Sequence, residues 1–243
     1  MDVLVELTRV RDLAIADVGD FLGISRDEVY DHAATWSDRQ RAMLAGGLAH
    51  DHYSHWLGDN GRANVCLNTI DQFYRHDVFA AVCRLHAAGL VRDLVDFGCG
   101  TGVVNYPYLA RCRSAVMVDV PNVAQDFLRW RLERDRLNHV VLLHHEATGD
   151  LPPESFDLVC CIDVLEHLPE PTLVFEQFDR WLRPGGFYLH RAPWAKSEEE
   201  EREVGHLLAA PADWQRPGGA QQQLDERYEQ IAPISYGGLY RKR

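Results

Sequence analysis

The stretch Val95-Asp96-Phe97-Gly98-Cys99-Gly100-Thr101-Gly102 joins an apolar run to an amphipathic segment. The run Val91–Phe97 has the pattern of a buried strand, and residues Val103–Cys112 have the pattern of a helix. Glycines between a strand and a helix leave the backbone N–H groups at the helix N-terminus open to a ligand. The stretch therefore predicts a small-molecule site at the carboxyl edge of a parallel sheet.

Further apolar runs alternate with amphipathic stretches beyond this loop, as in parallel strands joined by crossover helices. We predict strands at Ala115–Asp119, Val140–His144, Phe156–Ile162 and Phe187–Arg191. A helix over Thr172–Leu182 should end at the turn Arg183-Pro184-Gly185-Gly186. The tail segments Arg227–Ile231 and Leu239–Lys242 indicate a closing pair of strands, so the expected sheet is mixed.

The first 89 residues have a different, mostly helical pattern without a clear strand. We predict that residues 1–89 form a helical cap, lid or dimerisation region, and that residues 90–243 form the ligand-binding core. Ser25-Arg26-Asp27-Glu28 fits a capping box. The spacing of Gly19, Gly23, Ser25 and Val29 is also that of a helix-turn-helix. Because basic residues are sparse there, a cap or dimer element is favoured over DNA binding.

Composition narrows the class of protein. The 243 residues include 25 Lys and Arg against 37 Asp and Glu, a formal net charge of −12, and 46% of them are hydrophobic. The acidic balance argues against nucleic acid as a partner. The longest apolar run, Val78–Cys83, is far shorter than the roughly 20 residues that span a bilayer. The N-terminal sequence lacks secretory-signal features and the six cysteines lack paired spacing, so we expect a cytoplasmic protein with free thiols.

Polar residues follow the predicted strands at the same sheet edge. Asp119 ends the second strand, where a carboxylate can accept hydrogen bonds from ribose hydroxyls, and Val120 beside it could pack on an adenine ring. Glu146-Ala147 follows the third strand, where it could meet an adenine amino group. Asp163 follows the fourth strand and begins Asp163-Val164-Leu165-Glu166-His167-Leu168-Pro169.

In this order the motifs resemble those of the class I S-adenosylmethionine-dependent methyltransferases. The resemblance covers roughly residues 90–192, and it includes Leu182-Arg183-Pro184-Gly185-Gly186. It implies a Rossmann-like α/β fold with a seven-stranded sheet, mostly parallel with the last strand antiparallel, and helices on both faces. It also implies S-adenosylmethionine as the cofactor. The cofactor-binding residues that it implies are Asp96, Gly98, Cys99, Gly100, Gly102, Asp119, Val120, Glu146, Ala147 and Asp163.

Two positions depart from the family pattern. Glu146-Ala147 stands where the family usually has Asp-Ala, with one extra residue before Leu151-Pro152. Val120-Pro121-Asn122 differs from the polar residues common after the ribose carboxylate, and it resembles the Asp-Leu-Pro of some O-methyltransferases.

His167 is the candidate catalytic base, since it lies in the loop after the fourth strand. A base is required only if the acceptor arrives protonated with a high pKa. Tyr74 and His190 are the candidate substrate-binding residues. Tyr74 belongs to a group that could roof the acceptor pocket or simply pack among helices: Tyr53, Trp56, Phe73, Tyr74, Arg75 and His76. His190 could equally satisfy a buried hydrogen bond.

The segment His50-Asp51-His52-x-x-His55 gathers imidazoles and a carboxylate. Because a helix does not align all three histidines and no fourth ligand is evident, we expect no metal and favour a helical lid.

The leading hypothesis is methyl transfer to a small-molecule acceptor by in-line displacement, with an oxygen, nitrogen or carbon nucleophile. A second is that S-adenosylmethionine itself is cyclised or cleaved to release methylthioadenosine, because a fold does not fix a reaction. A third is a non-catalytic regulatory protein that retains the cofactor pocket. The N-terminal helices could also pair two chains, and neither a membrane nor nucleic acid is expected as a partner.

Overall fold

Seven strands form one sheet in the computed structural model, which describes residues 3–36, 38, 58–71, 75–204 and 206–243. The strands are β1 (Asp93–Phe97), β2 (Ser114–Asp119), β3 (Val140–His144), β4 (Phe156–Ile162), β5 (Leu182–Arg191), β6 (Tyr228–Ile234) and β7 (Gly237–Lys242). Their order across the sheet is β3-β2-β1-β4-β5-β7-β6. Only β7 runs antiparallel to its neighbours, β5 and β6, whereas the other pairs are parallel. The predicted mixed Rossmann-like sheet is confirmed.

Ten α-helices are defined within the described ranges. They are α1 (Val3–Leu22), α2 (Arg26–Ala34), α3 (Gly58–Asp71), α4 (His76–Ala87), α5 (Tyr106–Leu109), α6 (Val123–Arg134), α7 (Pro171–Trp181), α8 (Glu198–Val204), α9 (Ala209–Gln215) and α10 (Ala220–Arg227). Two 3₁₀ turns, His145–Asp150 and Leu165–His167, follow β3 and β4. None of the described helices has the length and apolar character needed to cross a bilayer.

Two predicted boundaries were wrong. The helix after the glycine loop covers only Tyr106–Leu109, because a turn closed by the bond from Tyr106 N–H to Gly102 O at 2.8 Å precedes it. The predicted turn at Arg183–Gly186 belongs to β5, since Leu182 already pairs with Phe156. The ladder shifts register between Phe156 and Leu158, and this irregularity accommodates the Pro-Gly-Gly sequence.

Apolar side chains cover both faces of the sheet. Leu94 of β1 shares one hydrophobic cluster with α4 and with Leu7, Val10 and Ala14 of α1. Val95, the next residue of β1, shares the opposite cluster with α7, α9 and α10. The two residues belong to opposite clusters because successive side chains of a strand point to opposite faces of the sheet. The first half of α1 and the helix α4 thus pack on the sheet layer, whereas Val29 of α2 and Val65 of α3 belong to a separate cluster with Phe127 of α6.

N-terminal capping residues define where α2 and α6 begin. Ser25 caps α2 in the predicted capping box: Ser25 N–H donates to Glu28 Oε2 at 2.7 Å, and Glu28 N–H donates to Ser25 Oγ at 3.3 Å. Asn122 caps α6 by accepting the N–H of Gln125 at 2.8 Å. Because α6 follows β2 directly, this cap holds the helix N-terminus at the sheet edge where the predicted ligand site lies.

Candidate functional site

A cleft opens at the carboxyl edge of the sheet, in front of β1, β2 and β4. Its empty space, including the mouth open to solvent, is about 1160 Å³. The wall combines apolar side chains with eight polar ones, namely Asn64, Asn68, Arg75, Asp119, Asn122, His145, Asp163 and His167. A cleft of this kind, at the point where the order of parallel strands reverses, is the usual ligand site of such sheets.

The glycine loop forms the floor of the cleft. Gly98 has φ +73°, and a Cβ there would lie 2.0 Å from Cγ2 of Val164, so any larger residue would collide with the neighbouring loop. Gly100 has φ +51° and no heavy atom within 4 Å of the place where its Cβ would be. The space in front of Gly100 therefore lets a ligand approach the backbone closely.

Asp119 stands beside this loop at the end of β2. Its Oδ2 accepts the N–H of Gly100 at 2.6 Å, and its Oδ1 accepts Val120 N–H at 2.7 Å and Asn122 Nδ2 at 3.2 Å. Burial raises the pKa of Asp119, against the lowering effect of these three donors. A carboxylate has about four acceptor positions, so the half-buried group retains capacity for a ligand hydroxyl.

Asp163 lines the cleft after β4 and binds two arginines. It directly follows β4, has φ +56° and forms ion pairs with Arg75 and Arg191. Arg75 also pairs with Asp71 at 2.7 Å, yet its Nη1 is buried and has no hydrogen-bond partner within the described part of the chain. A cleft-lining guanidinium with an unused donor suits a ligand carboxylate.

The 3₁₀ turn after β4 supplies His167 to the cleft wall. The ring of His167 meets the ring of His206 edge-on, with 5.0 Å between centroids. Its neighbour Glu166 is fully buried, and burial together with the charge of Asp163 raises the pKa of Glu166 well above its usual value. On the other side of the cleft, burial lowers the pKa of His145.

Five of the ten predicted cofactor residues line the cleft: Gly98, Gly100, Asp119, Val120 and Asp163. Asp96, Cys99 and Gly102 are not among the lining residues. Asp96 is 5% exposed, accepts Asn105 Nδ2 at 2.8 Å, and has a pKa that burial raises to about 7. Glu146 and Ala147 are exposed in the turn after β3, whose first residue, His145, is the one in the cleft wall.

Of the two predicted substrate-binding residues, the structure describes His190 but not Tyr74. His190 is 5% exposed, stacks on Tyr188 and Tyr240 at 5.1 and 5.6 Å between centroids, and does not line the cleft. Burial lowers the pKa of His190 to about 4. Tyr74 lies outside the described residues, as do Tyr53, Trp56, Phe73 and the histidines 50, 52 and 55.

Two asparagines of α3 that no sequence motif singled out, Asn64 and Asn68, also line the cleft. Asn68 Nδ2 donates to Asn64 Oδ1 at 2.7 Å. The available signal was their spacing of four residues, which places both amides on one helix face.

Comparison with known proteins agrees with this geometry. Residues 95–190 match the family described as methyltransferase domain. A ubiquinone biosynthesis O-methyltransferase of Idiomarina loihiensis is 31% identical over 103 residues, which cover 42% of this chain and 42% of that protein. The protein of the same name from Methylococcus capsulatus is 30% identical over 107 residues, 42% of this chain and 44% of that protein. The match thus spans less than half the length of these relatives.

Two solved structures show the same fold. The N-methyltransferase NodS of Bradyrhizobium japonicum, in complex with S-adenosylhomocysteine, has a TM-score of 0.50 and 18% identity, over 68% of this chain and 86% of that one. The PH0226 protein of Pyrococcus horikoshii has a TM-score of 0.50 and 17% identity, over 71% and 92%.

The fold, the cleft and the matched segment together define a methyltransferase domain. The matched segment is similar to the class I S-adenosylmethionine-dependent methyltransferases, and the cofactor that this similarity implies is S-adenosylmethionine. The residues present fit that molecule in three ways: the backbone at Gly100 is open, Asp119 can accept further hydrogen bonds, and Nη1 of Arg75 is a buried donor without a partner in the described ranges.

Proposed function

We propose that this chain binds S-adenosylmethionine in the cleft and transfers its methyl group to a small-molecule acceptor. The observation that carries the proposal is the junction of Gly100 and Asp119, where open backbone meets a half-buried carboxylate at 2.6 Å. A ligand with a polar chain and a sugar, lying across the ends of β1 and β2, uses both features together.

Each wall of the cleft has a role in this proposal. The Gly98–Gly102 loop lies under the methionine portion, and Asp119 accepts hydrogen bonds from the ribose hydroxyls. Nη1 of Arg75, which has no hydrogen-bond partner among the described residues, would donate to the amino-acid carboxylate. Val120 and His145 would flank the adenine, since both line the cleft with Asp119.

The bound cofactor supplies a methyl group already activated by its sulfonium charge. The protein's own contribution is to hold the acceptor atom in line behind that methyl group and to keep water away. Phe97, Ile162, Val164 and Leu168 give the cleft an apolar wall for this purpose. His167 lies in the same wall, where its imidazole can take the proton of an acceptor hydroxyl.

A hydroxylated small molecule is the acceptor class that we propose. Two observations support it: the curated relatives are named O-methyltransferases, and a histidine stands in the wall of the cleft. The net charge of −12 disfavours a nucleic-acid acceptor. Pairing of two chains through the N-terminal helices and a cytoplasmic location remain predictions.

The direct test combines product analysis with calorimetry. Incubated with S-adenosylmethionine and a panel of hydroxylated metabolites, the protein should form S-adenosylhomocysteine only when an acceptor is present. Methylthioadenosine in the absence of acceptor would contradict methyl transfer. Asp119→Asn should weaken S-adenosylhomocysteine binding at least about tenfold, the effect of about 1.4 kcal/mol. Asp126→Asn, which removes the same charge from an exposed position of α6, should not.

A further inference from the structure

Glu166 is a buried carboxylate without the usual compensation. It is 0% exposed, and neither Oε1 nor Oε2 has a hydrogen-bond partner within the part of the chain that the structure describes. The nearby arginines, Arg75 and Arg191, are paired with Asp163 instead. Buried carboxyl groups are normally hydrogen-bonded, paired with a cation, bound to a metal or neutralised by a proton. Two buried oxygens without hydrogen-bond partners are therefore available as ligands for a cation.

Two imidazoles face this carboxylate. Nε2 of His206 lies 4.0 Å from Oε1 of Glu166, and the ring centroid of His167 lies 5.0 Å from that of His206. One ligand atom from each residue can be chosen so that all three lie within 4.8 Å of one another. Ligands about 2.0–2.1 Å from a tetrahedral zinc ion are roughly 3.4 Å apart, so small side-chain rotations would close the site.

We propose that Glu166, His167 and His206 bind a divalent transition-metal ion such as zinc in the wall of the cleft. Two imidazoles and one carboxylate suit this class of ion better than magnesium or calcium, which prefer ligand sets made only of oxygen. The proposal concerns binding alone and does not depend on the proposed methyl transfer. An imidazole has one basic nitrogen, so His167 cannot accept a proton while it holds the ion, and the base role proposed above applies to the metal-free chain.

The backbone already holds the two halves of this site together. The N–H of Leu207 donates to the carbonyl of Glu166 at 2.7 Å, which fixes the segment before α9 against the turn after β4. His206 lies outside the segment that matches the methyltransferase domain. An ion here would cross-link these distant segments and stabilise the folded state, because the unfolded chain does not bring the ligands together.

The test is titration of zinc ion into the full chain, treated with a chelator and free of S-adenosylmethionine. We expect one ion per chain by calorimetry, and a visible absorption band when cobalt(II) is used instead. Glu166→Gln and His206→Gln should each weaken zinc binding at least tenfold. His144→Gln should leave it unchanged, because His144 forms a comparable pair with Glu146, at 3.5 Å, on the surface.

The unfolding temperature is a second measurement, which tests the site even if one variant folds poorly. Zinc should raise the unfolding temperature of the wild-type chain but not that of His206→Gln, whose ring is only half-buried. The proposal is overturned if the wild-type chain does not bind zinc. It is equally overturned if both variants bind zinc as tightly as wild type, or if His52→Gln with His55→Gln abolishes binding while His206→Gln does not.

Discussion

The N–H of Gly100 donates to Oδ2 of Asp119 at 2.6 Å, and this bond joins the ends of two adjacent parallel strands at the cleft. The backbone of Gly100, with its positive φ, and the half-buried carboxylate of Asp119 therefore lie side by side in the surface of the cleft. Because the two groups are linked, the cleft side of Gly100 is fixed before a ligand arrives, which reduces the ordering cost of binding.

Gly100→Ala should weaken S-adenosylhomocysteine binding at least tenfold by calorimetry, since the added Cβ would occupy the open space in the cleft. An alanine at positive φ also destabilises the fold by roughly 1–2 kcal/mol. The control is Gly89→Ala, with φ +68° and equally open surroundings outside the cleft. Both variants should lose similar unfolding free energy, but only Gly100→Ala should lose affinity. Equal affinities would remove Gly100 from the ligand site.

Asp96→Asn should change how stability depends on pH. The pKa of Asp96 is about 7 in the folded protein, against roughly 3.9 in an unfolded chain. Between these values the folded state holds a proton that the unfolded state releases, so stability falls as the pH rises from about 4 to 7.

The asparagine variant lacks this titration and can still accept the hydrogen bond from Asn105. Chemical denaturation should therefore show Asp96→Asn gaining stability relative to wild type from pH 4.5 to pH 8, by up to about 4 kcal/mol. Parallel pH profiles for the two proteins would show that Asp96 remains ionised in the fold.

His190→Phe should separate a packing role from a substrate role. The pKa of His190 is about 4 in the folded protein and roughly 6.5 when unfolded, so wild-type stability falls as the pH drops from about 6.5 to 4. Phenylalanine keeps the stacking with Tyr240 and removes the titration. Relative to wild type, the variant should gain up to about 3 kcal/mol at pH 4.5 and bind S-adenosylhomocysteine unchanged.

The exposed His76 provides the matched control, since His76→Phe lies outside this aromatic cluster. If His190→Phe raises the KM for a methyl acceptor while its unfolding profile is unaltered, His190 contacts substrate rather than packing in the core.

Asp17→Ala should weaken the contact between α1 and α6 and lower the free energy of unfolding. Asp17 accepts Nε of Arg131 at 2.9 Å, and Arg131 is 4% exposed, with its guanidinium 3.5 Å from the ring centre of Tyr106. Removing Asp17 leaves a buried positive charge unpaired, which costs about 3–5 kcal/mol of unfolding free energy. Asp12→Ala, which breaks the exposed pair with Arg26 at 2.8 Å, should cost about 0–1 kcal/mol. Urea denaturation measures both, and similar losses would contradict the buried-charge argument.

The sequence by itself determined the sheet, the glycine loop and the carboxylate beside it. Six of the seven strands were placed to within three residues, because short runs with clear boundaries are readable from the sequence, whereas β5 begins five residues before its predicted start. The capping box at Ser25 and Glu28 was equally readable, because both partners lie within one helical turn.

The tertiary structure alone decided which polar side chains face the cleft. Asp96 and Asp119 both belong to strands at the same edge, yet Asp96 lies behind the loop with Asn105 whereas Asp119 lines the cleft. Contacts between segments far apart in the chain decide three further features. They are the bulge that brings Leu182 into β5, the position of Arg75 in the cleft wall, and the approach of His206 to Glu166. Local periodicity carries no information about such contacts, because they form only when the whole sheet and its helices are packed.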